Sequence, residues 1–565
     1  MGRFFRWLVA RKADYDSGMY ELLPHIVRNA FYSLAIVVGA FIFGGPLIGV
    51  ASLAVPVYVF FFFAMKYYEH ERVSPRKGHR LQREDKVREK ARKLREKNFP
   101  GDRGILWGKA RISTKDSEKN FLVVGNIGSG KTLAIRMLMQ DQLPLIRPGS
   151  NCRALVYDSK QDAVQVLAGM VLYCPVYIFN PFDQRGVAWD LAKDIDSIPV
   201  AETFAEYLIP KSSRASQPYF EDAPRLLLAA VLEVFIRVCP GRWTFRQLLL
   251  VMQSIERIEQ VSAKNQDSYE SVQAVLDKIG PRGRGNLLST IVSKLRPYKT
   301  IAACWDGASA SISVKRWLHE PSIIVLGNYE PARAEINRLA SMFVDRLSKE
   351  ILSSPENSDS RTWLYLDELT EAGELQGIDS LVLRARSKGC ISVLGFQDIG
   401  ALYNVYGREQ GEAFVAQCGN RLYLHLKSHE TAQWASRSIG QRQAFVESDG
   451  HVGGAEYVVP PEHFYKLPEA NLHSSGVHGI YMNGSLGCWT AHHSPKDLKE
   501  RLPQADPHVE RFKLIDSARC EIRPWSEDDA GMFGIAYLPS RAADQTHDAD
   551  DREDDPLAGV GRVKP

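Results

Sequence analysis

Polar and apolar residues interleave at short intervals along most of the chain, but between Arg28 and Lys66 no charged residue occurs at all. The segment 29–65 is built mainly from Phe, Val, Ile, Leu, Ala and Gly, with Gly44-Gly45-Pro46 near its middle. A charge-free run of that length exceeds the roughly 20 residues of one spanning helix. It predicts two antiparallel transmembrane helices, 22–43 and 47–67, joined by a minimal turn. Arg3, Arg6, Arg11, Lys12 and Arg28 precede the hairpin, and Arg72, Arg76, Lys77, Arg80 and Arg83 follow it, which places both chain ends on the cytoplasmic side. A cleaved signal peptide is disfavoured because the apolar region starts late and is too long. A buried hairpin of a soluble protein would show a polar face. The Lys/Arg-rich run with interspersed Glu from Arg72 to Lys97 reads as a helical spacer, either against anionic headgroups or solvated by its own ion pairs.

Beyond residue 100 the pattern changes. Phe121-Leu122-Val123-Val124, Arg153 to Tyr157 and Val176 to Phe179 are short β-branched and aromatic runs ended by turn residues, and they predict buried strands. From Ile198 to Lys299 only helical periods occur, which predicts an all-helical domain inserted into an α/β one. Strands resume at Ser322 to Leu326, Trp363 to Leu366, Ile391 to Phe396 and Arg421 to Leu424. Near-continuous apolar strands separated by helices predict a parallel sheet covered on both faces. The expected organisation is a membrane anchor (1–70), a basic linker (71–100), an α/β domain in two parts (101–197 and 300–525), the helical insert (198–299) and an acidic, apolar-poor and disordered tail (526–565).

Chemistry enters at the end of the first strand. Gly125-Asn126-Ile127-Gly128-Ser129-Gly130-Lys131-Thr132 lies between a strand and a helical run and reads as a P-loop. Its glycines let backbone amides curl around phosphates, Lys131 reaches the β/γ-phosphates, and the Thr132 hydroxyl ligates Mg²⁺. All eight residues are expected to bind ATP. Trp363-Leu364-Tyr365-Leu366-Asp367-Glu368 is an apolar strand ending in paired carboxylates, the pattern of a Walker B element. Asp367 is expected to hold Mg²⁺ together with Thr132, and Glu368 to accept a proton from the attacking water. Asp158 ends another apolar strand but lacks an adjacent carboxylate, and is read as a supporting group. Arg384 and Arg386 precede a strand ending in Phe396-Gln397-Asp398. An arginine there can reach a neighbour's γ-phosphate, and Gln397 can sense phosphate or orient water; ordinary surface roles stay open for both.

Eight cysteines are scattered without metal-ligand spacing, as in a reducing compartment. The formal net charge of +4 says little about partners, but its distribution says more. In the helical insert, Pro281-Arg282-Gly283-Arg284-Gly285-Asn286 and Lys294-Leu295-Arg296-Pro297-Tyr298-Lys299 are basic with little acidic interruption. They suit sequence-independent contact with single- or double-stranded DNA phosphates, with Tyr298 available to stack on a base. A plain exposed basic loop is the alternative.

The order of parts resembles the type IV coupling proteins of conjugation systems, the TraD/TraG-like ATPases: a membrane hairpin, GNIGSGKT (125–132), YDSK (157–160), NPFDQRGVAWD (180–190), a helical insert, WLYLDE (363–368), RARSKG (384–389), GFQD (395–398) and HETAQWASRSIG (429–440). The resemblance spans roughly residues 20–440. It implies a homo-hexameric, RecA-like P-loop motor at the bacterial inner membrane that links relaxase-bound DNA to a type IV secretion channel at the expense of ATP. It further implies that Arg386 acts in trans, with Arg384 as the competing choice, that Gln397 serves the same site, and that the insert contacts DNA. A septal-type chromosomal DNA translocase and a membrane receptor for secreted protein substrates are the competing functions. The first fits less well, because the helical domain interrupts the motor and the chain ends in acidic residues.

Overall fold

Runs such as Phe121–Val124 and Ile323–Leu326 offer water no polar face, so they become strands buried on both sides. The structure is a computed structural model, and it describes residues 80–210, 218–356, 360–443 and 455–537. In chain order the strands of the principal sheet are β1 Leu81–Arg83, β2 Phe121–Val124, β3 Cys152–Tyr157, β4 Val176–Phe179, β5 Ile323–Leu326, β6 Arg361–Leu366, β7 Cys390–Phe396, β8 Asn420–Tyr423, β9 Val477–Asn483 and β10 Gly487–His493. Their spatial order is β1-β10-β9-β8-β2-β7-β6-β3-β5-β4. From β8 to β4 all seven strands run parallel. The antiparallel hairpin β9–β10 extends one side, and β1 closes it by pairing parallel to β10.

Register sets the geometry of the site. Val124 lies opposite Phe396, Leu394 opposite Leu366, and Leu366 opposite Tyr157. The residues that follow β2, β6, β7 and β3 therefore emerge along one edge of the sheet. Alternate side chains divide between two cores. Phe121 and Val123 pack on the face of the Lys131–Gln142 helix, whereas Leu122 and Val124 join the apolar cluster that includes the inserted helices.

Each strand expected from the sequence forms, and the insert is helical as expected, from Ile198–Leu208 through Pro218–Val238, Phe245–Val251, Ile255–Ser262 and Gln266–Leu295, while the helix Lys299–Asp306 carries it past the expected end at 299. The insert shares its core with the sheet domain: Trp305 bridges Phe179 and Phe245 at 5.9 and 5.7 Å. The predicted spans 22–43 and 47–67, most of the tail, and residues 71–79 of the linker lie outside the described residues. Among the described residues no helix is long and apolar enough to cross a membrane.

Two expected boundaries move. The linker was expected to run to residue 100, but β1 already belongs to the principal sheet, and the following helix Glu84–Asn98 buries Val87 and Ala91 while its outer face carries the Lys93–Glu89 and Arg92–Glu96 pairs. Hydrogen bonds from Gln82 and Lys90 to the Leu486 carbonyl tie this element to the hairpin. The tail was expected to be disordered from 526, but Glu527–Phe533 is a helix with a Ser526/Asp529 capping box. The acidic composition concealed two apolar anchors. Trp525 stacks on Phe533, and Phe533 sits 4.4 Å from Phe235 of the insert, with Arg257 over Trp525.

An ion cluster locks this strap. The Arg246 guanidinium reaches Asp529 at 2.5 Å and Asp306 at 3.3 Å, all three side chains being at least nine-tenths buried, and Gln247 donates to Asp529 at 2.8 Å. Burial works to raise the Asp529 carboxyl, but these donors hold it below its ordinary value. Asp529→Ala leaves a buried guanidinium with Asp306 as its one remaining carboxylate beside the Arg523 and Pro524 carbonyls, so urea unfolding should show a loss of about 3 kcal/mol. Replacement of exposed Asp528 in the same helix should lie within about 0.5 kcal/mol of the parent.

Candidate nucleotide site

The P-loop backbone is shaped by close approaches that only glycine allows. A Cβ at Gly125 would stand 2.3 Å from the Ser129 hydroxyl. Gly130 adopts φ 93°, in the left-handed region, and a Cβ there would press on Val477 at 2.9 Å. The loop is pinned from outside. The Asn126 amide donates to the His425 carbonyl (3.1 Å), the Lys427 amide donates to the Asn126 side chain (2.7 Å), and the Ala470 amide donates to the Gly128 carbonyl (2.8 Å).

The helix Lys131–Gln142 begins at Gly130 with no side-chain cap. Its first amides are therefore left for an anion, with the positive end of the helix dipole behind them. The Ser129 hydroxyl is buried without a partner beside them, and nothing lies within 4 Å of the position above Gly128. Orphan donors around an open mouth fit a polyphosphate.

The Lys131 ammonium crosses to the end of β6, donating to the Asp367 carbonyl at 2.5 Å and to Glu368 Oε2 at 2.6 Å, with Asp367 Oδ1 at 3.4 Å. The Thr132 hydroxyl donates to Asp367 Oδ2 at 2.5 Å. Thr132 and Asp367 thus stand together as oxygen donors of the kind a hard cation takes with phosphate and water. Burial works to raise the Asp367 carboxyl, but the Lys131 and Lys160 ammonium groups and the Thr132 hydroxyl hold it below its ordinary value. Glu368 is buried and accepts from Gln397 Nε2 at 2.8 Å and from the Thr370 hydroxyl at 3.0 Å. An ammonium and two neutral donors thus converge on one carboxylate.

The structure brings together Lys131, Thr132, Asp367, Glu368 and Gln397, and leaves Arg386 apart. Arg386 lies in the turn Ala385–Lys388 before β7, at the opposite edge of the sheet from Lys131. Crossing the seven residues of β7 covers roughly 23 Å, so Arg386 cannot serve the site of its own chain. It is exposed and lines a cavity of about 350 Å³ together with Arg95, Lys115, Asp116 and Lys119. Arg384 hydrogen-bonds Ser380 of its own helix at 2.5 Å.

In the insert, the segment 281–286 follows a kink at Gly280 (φ 71°, ψ 168°), and Arg282, Lys294, Arg296 and Lys299 are exposed. Tyr298 corrects its expectation. It is fully buried, packed on Phe245, with Arg338 donating to its hydroxyl at 3.5 Å, so it presents no ring to a base.

Sequence reasoning passed over Lys160, whose ammonium lies 2.9 Å from the Thr132 hydroxyl and 3.5 Å from Asp367 Oδ2. The YDSK motif was its only signal. The Asp398 and Thr431 side chains, bonded at 2.6 Å, show what links two of the quoted motifs: each caps or anchors the start of the Ile399–Tyr406 helix.

Asp158 supports the loop that carries Lys160, accepting from the backbone amides of Asp162 (3.1 Å) and Ala163 (3.0 Å). Burial, reinforced by the Asp162 charge, pushes its carboxyl up to about 6. A carboxyl raised on folding binds more protons folded than unfolded between about pH 4 and pH 6. Its contribution to stability is therefore greatest below that window and is lost as pH rises through 6. Denaturant unfolding of Asp158→Asn at several pH values should lack this fall between pH 4 and 6, whatever the absolute change.

A sequence profile of the family described as "Type IV secretion-system coupling protein DNA-binding domain" matches residues 105–458. The coupling protein TraD of Escherichia coli (strain K12) is 24% identical over 355 residues, which cover 61% of this chain and 47% of TraD, so the chain spans about half the length of that curated relative. Among solved structures, the plasmid coupling protein TrwB in complex with ADP and Mg²⁺ is similar at 18% identity and a TM-score of 0.59, covering 78% of this chain and 98% of that one. The unbound monoclinic form of TrwBdeltaN70 gives 17% identity and a TM-score of 0.57, covering 78% and 99%. These likenesses extend the fold, an α/β sheet domain with a helical domain, over most of the described chain.

Proposed function

The chain belongs to the type IV secretion-system coupling proteins, and from that premise we propose that it is a membrane-anchored ATPase that couples relaxase-bound DNA to a type IV secretion channel during conjugative transfer. The observation that carries the reading is the convergence of Lys131, Thr132, Asp367, Glu368 and Gln397 at one edge of the sheet. In this reading the P-loop amides of residues 125–132 and the Lys131 ammonium bind the triphosphate of ATP, and Thr132 and Asp367 hold Mg²⁺. The metal, when bound, supplies charge neutralisation on the phosphates. Glu368, released by Lys131, takes the proton of the attacking water, and Gln397 orients that water or reports the state of the γ-phosphate.

Arg386 completes the site of the adjacent subunit in a homo-hexamer. Its place on the far edge of the sheet supports a trans role, because no rearrangement of its own side chain reaches the P-loop of the same chain. The exposed cations of the insert track DNA phosphates without reading sequence, and the buried Tyr298 removes the expected stacking contact. The anchor is the hairpin 22–43 and 47–67 in the bacterial inner membrane, with both termini cytoplasmic, supported by the absence of charge from 29 to 65 and by the basic flanks.

The test is ATP hydrolysis by the full chain with and without single-stranded DNA. DNA should stimulate turnover, and Lys131→Ala and Glu368→Gln should each lower it by about 100-fold or more. Arg386→Ala should be as inactive alone, yet regain part of the activity when mixed with Lys131→Ala, since each variant supplies what the other lacks; Arg384→Ala should stay near the parent. Turnover indifferent to DNA but raised by a secreted protein would select the receptor reading. Full turnover by Glu368→Gln would remove that residue from the chemistry.

A further inference from the structure

A half-exposed lysine usually points to water, yet Lys160 turns inward onto the two groups that the proposed function assigns to the metal. Its Nζ donates to Thr132 Oγ1 at 2.9 Å and lies 3.5 Å from Asp367 Oδ2. The loop presenting it is held rigidly. Asp158 accepts from the amides of Asp162 and Ala163, Asp162 pairs with Arg136 of the P-loop helix at 2.7 Å, and the Gln161 side chain donates to the Asn328 carbonyl at 2.5 Å. Gln161 itself adopts φ 55°, which residues with a Cβ rarely do. The backbone therefore aims the lysine, and the lysine supplies only the last, flexible reach.

The charges balance without nucleotide. Two ammonium groups, Lys131 and Lys160, face two carboxylates, Asp367 and Glu368. The two lysines differ in freedom: the Lys131 side chain is 6% exposed, whereas that of Lys160 is 51% exposed and can swing into water with little desolvation cost.

We infer that Lys160 is the resting counter-ion of the magnesium subsite, occupying the position between the Thr132 hydroxyl and the Asp367 carboxylate and vacating it when a divalent cation is held there. The inference rests on the nucleotide-site reading above and adds a regulation of it. An ammonium and a divalent cation beside one carboxylate oxygen and one hydroxyl repel each other as like charges, so binding of the one opposes the other. Lys160 thereby sets the Mg²⁺ level at which nucleotide is retained, and keeps the Thr132–Asp367 pair assembled between turnovers.

The experiment titrates Mg²⁺ into the full chain at a fixed concentration of a fluorescent ADP and reads the half-saturating Mg²⁺ concentration, a binding quantity independent of turnover. Lys160→Met and Lys160→Gln should lower it by about fivefold, the scale of a partly exposed ion pair, and Lys160→Arg should stay near the parent. An unchanged or raised value in both neutral variants overturns the inference. Lys131→Ala should bind no fluorescent ADP at any Mg²⁺ concentration; binding retained there refutes the nucleotide site itself, a failure separable from that of Lys160.

Discussion

The contact between the Lys131 ammonium and the end of the Asp367-Glu368 strand is the interaction on which the rest of the site depends. Lys131 is nearly buried and meets a main-chain carbonyl and a buried carboxylate at once. A buried charge persists only where its partner is held in place, and here the partners are held by the sheet. β2 and β6 flank β7 in parallel register, so the residue types that chemistry needs arrive at one edge without any loop having to find them. Glu368 is thereby held by the same ammonium that the proposed function gives to the phosphates.

The packing outside the site serves that edge. One face of the sheet is covered by the P-loop helix, and the other is continuous with the core of the helical insert. The C-terminal strap joins the two parts: the Gln184 amide donates to the Lys513 carbonyl at 2.7 Å, the Ile515 amide donates to the Phe182 carbonyl at 2.9 Å, and Asp529 then meets Arg246. Displacement of the insert would expose the aromatic cluster around Phe179, Trp305 and Phe245, so movement of the insert relative to the nucleotide edge is expected to be restrained. Cys304 of the insert and Cys520 of the strap lie 3.8 Å apart as free thiols at this junction.

Much of this was legible in the chain. Continuous apolar runs can only be strands buried on two faces, and glycines at 125, 128 and 130 before a lysine and a threonine specify a phosphate cradle in any α/β setting. Other elements left weaker traces. The β9–β10 hairpin was overlooked although Asn483-Gly484 between two alternating runs marks it. Trp525 and Phe533 were hidden by the surrounding carboxylates, because composition averages over the few residues that bury most area. Tyr298 looked like a stacking platform because its neighbours in sequence are basic, but its helix turns it inward.

The sequence by itself determined the class of fold, the helical insert, the phosphate loop and the paired carboxylates, because these are set by local periodicity and by backbone conformations that few residue types allow. Only the tertiary structure decided which groups meet. Register across four strands placed Gln397 on Glu368 and Lys160 on Thr132, and put Arg386 on the far edge. Burial, not proximity in sequence, decided that Tyr298 is core and that Asp529 is a lock. Contacts between residues 28 to 283 positions apart depend on how the sheet orders its strands, and no local pattern encodes that order.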